Sequence, residues 1–254
     1  MLYYSFTMSS TFQNIVLALV QGLSEFLPIS SSGHLLIIQQ LFQITPQLSL
    51  DILLNTATFF SVLFFFRKQF KDFFQKSAYI FISTLPADFF TLFFKDFLVK
   101  LFISVSLLPL SFLYTSLILF LTYFFSFKKI KKLNKLNFTK ATIIGLFQAL
   151  AIFPGVSRSA STIFAGLLMG LSWQQSFLYS FYLFIPASLG ALIFAFMETD
   201  IAFISFSSYL LPFVICFLIG LMALFLLRKL LQSAKLWYFS FYSLSLSFIL
   251  MLLV

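Results

Sequence analysis

QGLSEFLPISSSGHLLI, residues 21–37, sets a carboxylate, three consecutive serines, a proline, a glycine and the chain's one histidine inside an otherwise apolar segment. Pro28 cannot extend a helix, and Leu27 before it is steered toward an extended backbone. Ser30, Ser31, Ser32 and Gly33 can then form a turn and cap a second helix that starts near His34. Gln21 and Glu25 stand four residues apart, on one face of the first helix. The stretch therefore reads as helix, break, helix, and each half is too short to cross a bilayer alone.

The surrounding chain has 254 residues, of which 61% are hydrophobic and 9% charged, and its mean hydropathy is +1.05. A soluble domain needs a surface with roughly a quarter of its residues charged. This chain cannot build one, so it reads as an all-α integral membrane protein. The 41 phenylalanines are lipid-facing bulk. Cys216 is alone, which excludes an intrachain disulfide and a cysteine metal cluster. The opening MLYYSFTMSS has no Lys or Arg and does not resemble a cleavable signal. The net charge of +9 concentrates in RKQFKDFFQK (67–76), KKIKKLNKLNFTK (128–140) and RKLLQSAK (228–235). Short basic loops between apolar segments mark the cytoplasmic side and favour anionic lipid headgroups. Nucleic acid is not an expected partner.

Six segments are apolar enough to span: 50–66, 77–94, 101–125, 176–197, 203–227 and 237–254. Segments 11–43 and 141–173 are broken by proline, glycine and serines and read as re-entrant helix pairs. Irregular backbone at membrane depth needs protein or a watery cavity around it. With the basic loops inside, the first pair dips in from outside, the second rises from the cytoplasm, and both termini lie outside.

The halves also repeat. LALVQGL (17–23) matches IGLFQAL (144–150), placing Gln21 over Gln148 at an offset of 148 − 21 = 127. FLPISSSG (26–33) then corresponds to FPGVSRSA (153–160) with one residue skipped. Repeat one covers about 11–127 and repeat two about 141–254, joined by the basic loop 128–140 in a single membrane domain. One re-entrant pair plus three spans per half is an odd count, so the second half is inverted. Such a design places a site near the midplane, where broken helices meet.

Arg158, in PGVSRSAST (154–162), is the one basic residue deep in an apolar element. A buried guanidinium needs an anionic partner or a cavity. Glu25 is the matching charge in the first break, and the pair could simply staple the halves. The polar residues around both favour a ligand. Ser157, Arg158 and Ser159 lead into a helix expected over 160–173, so both breaks aim a helix N-terminus at the midplane. Free N–H groups and the helix dipole suit anions, and arginine offers a fork for phosphate oxygens. Ser31, His34, Glu25 and Arg158 together suit phosphoryl transfer. Serine or water attacks, histidine moves protons and arginine holds the developing charge. Glu25 could orient His34 or hold a divalent metal, although one carboxylate is a thin ligand set. A transporter or flippase for a phosphorylated lipid or anion would use the same inverted repeat and midplane anion site.

QGLSEFLPISSSGH resembles the first signature of the bacterial undecaprenyl-diphosphate phosphatases, the bacitracin-resistance family: Glu or Gln, three residues, Glu, then a serine-rich turn and Gly-His. PGVSRSAST is similar to the second signature at every fixed position through Thr162. The likeness continues through FYLFIPASLGAL (181–192). The resemblance implies an inverted repeat with re-entrant helices. It also implies removal of the terminal phosphate of undecaprenyl diphosphate at the outer face of the inner membrane, recycling the carrier for cell-wall synthesis. It places Glu25, Ser31, His34 and Arg158 on catalytic positions, with Gln21, Ser30, Ser157, Ser159 and Thr162 lining the site. It further implies Mg2+ or Ca2+ dependence, with Glu25 the candidate ligand. The partners would be the polyprenyl diphosphate and membrane lipids, and a homodimer is allowed. Asn55 replaces a frequent histidine, Ala57 a frequent glycine and Ser243 a common arginine.

Overall fold

The computed structural model describes residues 10–44, 48–94, 97–98, 105–126, 135–198 and 206–253, and every regular element among them is helical. In chain order these are α1 (Ser10–Ser24), α2 (Ser31–Leu41), α3 (Leu48–Phe65), α4 (Phe70–Gln75), α5 (Ser77–Phe93), α6 (Leu108–Leu121), α7 (Tyr123–Ser126), α8 (Phe138–Leu150), α9 (Arg158–Leu168), α10 (Trp173–Glu198), α11 (Phe206–Gln232) and α12 (Tyr238–Leu253). Three described stretches, 108–125, 173–193 and 209–232, are long and apolar enough to cross a membrane. Shorter apolar helices occupy 50–65, 77–93, 138–150 and 238–253. The chain is a helical membrane protein.

Both expected breaks are present, between α1 and α2 and between α8 and α9. Their second helices start earlier than the sequence suggested. α2 begins at Ser31 rather than near His34, because Ser30 alone is the cap: its Oγ accepts from the Gly33 N–H. α9 begins at Arg158 rather than 160, capped by Ser157, and ends at Leu168 before Gly170 at φ 77°. α11 runs past the expected end at 227, through Arg228 and Lys229. Long basic side chains can reach water while their stems stay on the apolar helix. Asp88 does not interrupt α5. Residues 101–104 of the third expected span and most of the 128–140 loop lie outside the described residues.

Close helix crossings hold the bundle. α1 packs on α11, α5 on α8, α6 on α12, and α3 against both α10 and α11. Small residues permit this, as in membrane helices generally. A Cβ on Gly22 would sit 2.7 Å from the Cys216 carbonyl oxygen, and one on Gly145 would press on the Ser83 backbone. Hydroxyls staple neighbouring helices through carbonyls: Ser83 to Ala141 (2.6 Å), Ser61 to Phe217 (2.9 Å), Ser116 to Ser240 (2.9 Å) and Ser247 to Pro109 (2.7 Å). The largest core cluster joins Phe26 and Leu27 of the first break to Ala160, Ile163 and Phe164 of α9 and Phe181 of α10. The apolar interior therefore converges where the two breaks meet.

The α5–α8 crossing has no room for a methyl, because the atoms it would strike are backbone. Gly145→Ala should cost about 1–3 kcal/mol by overpacking and lower the thermal midpoint of the detergent-solubilised protein. Gly190, with nothing within 4 Å of its added Cβ, is the matched control and should tolerate alanine unchanged.

At the 67–76 segment, α4 is tied to the bundle. Burial works against ionisation of Asp72, but the Lys76 ammonium (2.7 Å) and the Tyr182 hydroxyl (2.8 Å) outweigh it and hold the carboxyl below its usual range. At the start of α12, Trp237 stacks on Tyr238 (4.1 Å) and meets Tyr123 edge-on (5.1 Å). This aromatic group lies beside basic segment 228–235, as interfacial anchors do.

Candidate active site

The two breaks touch through glycine. A Cβ on Gly33 would lie 2.8 Å from Gly155 Cα and 2.7 Å from the Phe112 ring. Gly155 adopts φ 88°, a left-handed conformation that suits a residue without Cβ. Ser30 is held at φ 70° although it has a side chain, a strain of about 1–3 kcal/mol that the packing must sustain. Thr115 of α6 fixes the second break, donating to the Gly155 carbonyl (3.1 Å) and accepting from the Ser157 N–H (3.0 Å).

The caps correspond closely. Ser30 and Ser32 hydroxyls lie 3.3 Å apart, as do those of Ser157 and Ser159, and each cap serine accepts from the N–H three residues on. Their offsets, 157 − 30 and 159 − 32, are both 127. No residue is skipped, contrary to the sequence alignment, where pairing Pro28 with Pro154 forced the gap. Ser31 and Arg158 become counterparts, each the first residue of a helix.

Across this junction lies a charged knot. Arg158 Nη2 donates to Glu25 Oε1 (3.0 Å). Ser31 Oγ donates to Glu25 Oε2 (2.6 Å), as does Gln21 Nε2 (3.1 Å), whose amide also donates to Asn55 Oδ1 (3.0 Å). The guanidinium lies 4.2 Å from the Phe184 ring centroid, in cation–π geometry. The Arg158 and Glu25 side chains are 16% and 12% exposed, so solvent screens the pair little. Arg158 Nη1 is buried with no partner. A charged donor left unmatched in an otherwise satisfied cluster is a place for an anionic ligand atom.

His34 faces elsewhere. Its Nδ1 lies 2.6 Å from the Ser30 carbonyl and its Nε2 2.6 Å from the Tyr242 hydroxyl. The ring also meets Phe112 edge-on at 5.4 Å. Gln21, Ser30, Ser157, Ser159 and Thr162 are all buried. Thr162 donates to the Arg158 carbonyl (2.8 Å) and lies 2.6 Å from Ser180 Oγ, so it supports the turn that carries the guanidinium. The structure thus gathers Glu25, Ser31, Arg158 and Gln21 into one cluster, with His34 on the next turn of α2. Sequence reasoning did not find Thr115, Phe184 or Tyr242. Each lies far along the chain in an apolar run, with no local signal. Asn55 was noticed only as a departure from a pattern.

The residues present do not fit a dedicated divalent metal. Glu25 is the one carboxylate in the cluster, and its oxygens accept from a guanidinium, a hydroxyl and an amide. No group of three histidine, cysteine, aspartate or glutamate side chains suited to a metal occurs among the described residues. Magnesium and calcium sites need several oxygen ligands, and a cation here would sit against Arg158.

The model of one family, described as bacitracin resistance protein BacA, matches residues 14–249. Among similar proteins named undecaprenyl-diphosphatase, that of Thermosipho africanus is 39% identical, covering 90% of this chain and 94% of its own. That of Methanococcus vannielii is 35% identical, covering 91% and 95%. That of Carboxydothermus hydrogenoformans is 36% identical, covering 92% and 93%. With its two polar breaks inside the matched region, the chain belongs to the bacitracin resistance protein BacA family.

Proposed function

We propose that this protein hydrolyses undecaprenyl diphosphate to undecaprenyl phosphate and inorganic phosphate, which would recycle the lipid carrier for cell-wall synthesis and confer bacitracin resistance. The observation that carries the mechanism is the Ser31–Glu25–Arg158 chain of hydrogen bonds, ending in an unpartnered guanidinium nitrogen. Glu25 accepts the Ser31 proton as Ser31 Oγ attacks the terminal phosphorus. The bond from phosphorus to the bridging oxygen breaks, and the lipid monophosphate leaves with that electron pair. Arg158 and the first-turn N–H groups of α2 and α9 hold the charge on the phosphoryl oxygens. Water then attacks the phosphoserine and gives a proton to His34. Ser31 recovers its own proton from Glu25, and phosphate departs. No step is routed through a metal.

The reading includes an inverted repeat. It is supported by the matched caps at offset 127 and by the reciprocal packing of α1 on α11 and α8 on α5. On this reading the protein crosses the inner membrane several times, its termini lie outside and the site opens to the periplasm. A cysteine introduced near residue 5 should then react with an impermeant thiol reagent from outside. Cys216, at 0% exposure, would stay silent.

The test is phosphate release from undecaprenyl diphosphate by the purified protein in detergent, with and without Mg2+ or Ca2+, beside a lipid-binding measurement. Release establishes the phosphatase. Binding without release by folded protein would favour the transporter.

A further inference from the structure

The geometry points to Tyr242 as the positioning residue for His34, a role that rests on the phosphatase reading above. A carbonyl can only accept, so the His34 ring carries its proton on Nδ1 and donates it to Ser30 O at 2.6 Å. The neutral ring's lone pair is then on Nε2, and the Tyr242 hydroxyl, 2.6 Å away, donates to it. The ring planes are 9° apart with centroids at 5.7 Å. Parallel planes let the phenol hydrogen meet the in-plane lone pair of the imidazole.

Tyr242 is itself held firmly. It sits on α12 between two staples to α6, where Ser240 O accepts from Ser116 Oγ and Ser247 Oγ donates to Pro109 O. α6 also supplies Phe112, which meets the His34 ring edge-on and leaves no space for a Cβ at Gly33. α6 and α12 together form a wall that sets the imidazole from two directions. Glu25 cannot share the task, because its oxygens are bound to Arg158, Ser31 and Gln21. Ser30 and Tyr242 are the hydrogen-bond partners of His34 among the described residues. Tyr242 is 45% exposed, so water or a substrate oxygen can reach the hydroxyl that guards Nε2. One nitrogen is committed to the backbone, and the other is kept as the proton-accepting atom. This second task fits the water-activating step assigned to His34.

His34 is the chain's one histidine, so 15N-histidine labelling reports this ring alone. The full-length protein in detergent is compared with Tyr242→Phe, which keeps the ring and removes the donor. The wild type should show a single neutral tautomer, protonated on Nδ1, with Nε2 hydrogen-bonded. In Tyr242→Phe the Nε2 resonance should move to that of an unbonded acceptor. Turnover should fall about tenfold, the loss of one hydrogen bond, with KM within about twofold of wild type because the phosphate ligands are untouched. An unchanged nitrogen spectrum would overturn the contact, and a changed spectrum with full turnover would overturn its catalytic relevance. If the wild type releases no phosphate, the phosphatase reading fails on that assay alone, and the nitrogen spectrum still decides whether Tyr242 sets the ring.

Discussion

Arg158→Ala should lose phosphate release by about 10³–10⁵-fold, the scale on which an arginine stabilises transferring phosphoryl groups. The loss has two parts. The guanidinium fork disappears from the transition state, and with it the unpartnered Nη1 that awaits an oxygen. Glu25 is also left buried and unpaired, and removing one partner of a buried ion pair costs about 3–5 kcal/mol. Arg158→Lys separates the two. It keeps a cation near Glu25 but cannot offer a planar fork, so the fold should stay near wild type while turnover still falls by about 10²-fold or more. A folded Arg158→Ala protein with ordinary turnover would remove the site from this position. Thermal unfolding of each variant in detergent, beside steady-state phosphate release, makes the comparison.

Ser31→Ala should be at least as severe in turnover, about 10⁴-fold or more, as for a lost nucleophile, with little change in stability. Ser31 sits at the first position of α2, and its hydroxyl donates to Glu25 rather than capping the helix, a task that falls to Ser30. Alanine there removes the attacking oxygen without unravelling the turn. Labelled terminal phosphate should appear on the wild-type chain during turnover and be absent from Ser31→Ala. Substantial turnover by the alanine variant, with no labelled chain in either protein, would replace the serine by water as the attacking group.

Much of this site is legible in the primary structure because its chemistry conflicts with its setting. A carboxylate and a guanidinium in apolar segments must find each other or a ligand, and Glu25 and Arg158 do meet, at 3.0 Å. Proline and glycine announced both breaks for steric reasons that need no partner. The starting points of α2 and α9 were less legible. Several adjacent serines can each cap, and only the packed backbone selects Ser30 and Ser157. The surroundings of His34 were not legible. Ser30 is local, but Tyr242 lies 208 residues away and is one of ten tyrosines. Its pairing depends on how α12 lies against α6. Likewise, Gln21 and Asn55 become neighbours through the α1–α3 packing alone.

The contact of Gly33 with Gly155 has a bearing on how such a chain can change over generations. The two positions are 155 − 33 = 122 residues apart, yet neither can gain a carbon without displacing the other. Elsewhere in a core, a larger side chain can be accommodated by a smaller neighbour. Here the neighbour is already the smallest residue there is. Mutational drift at this junction has no compensating route, so the two halves are held in step by a pair of absent side chains.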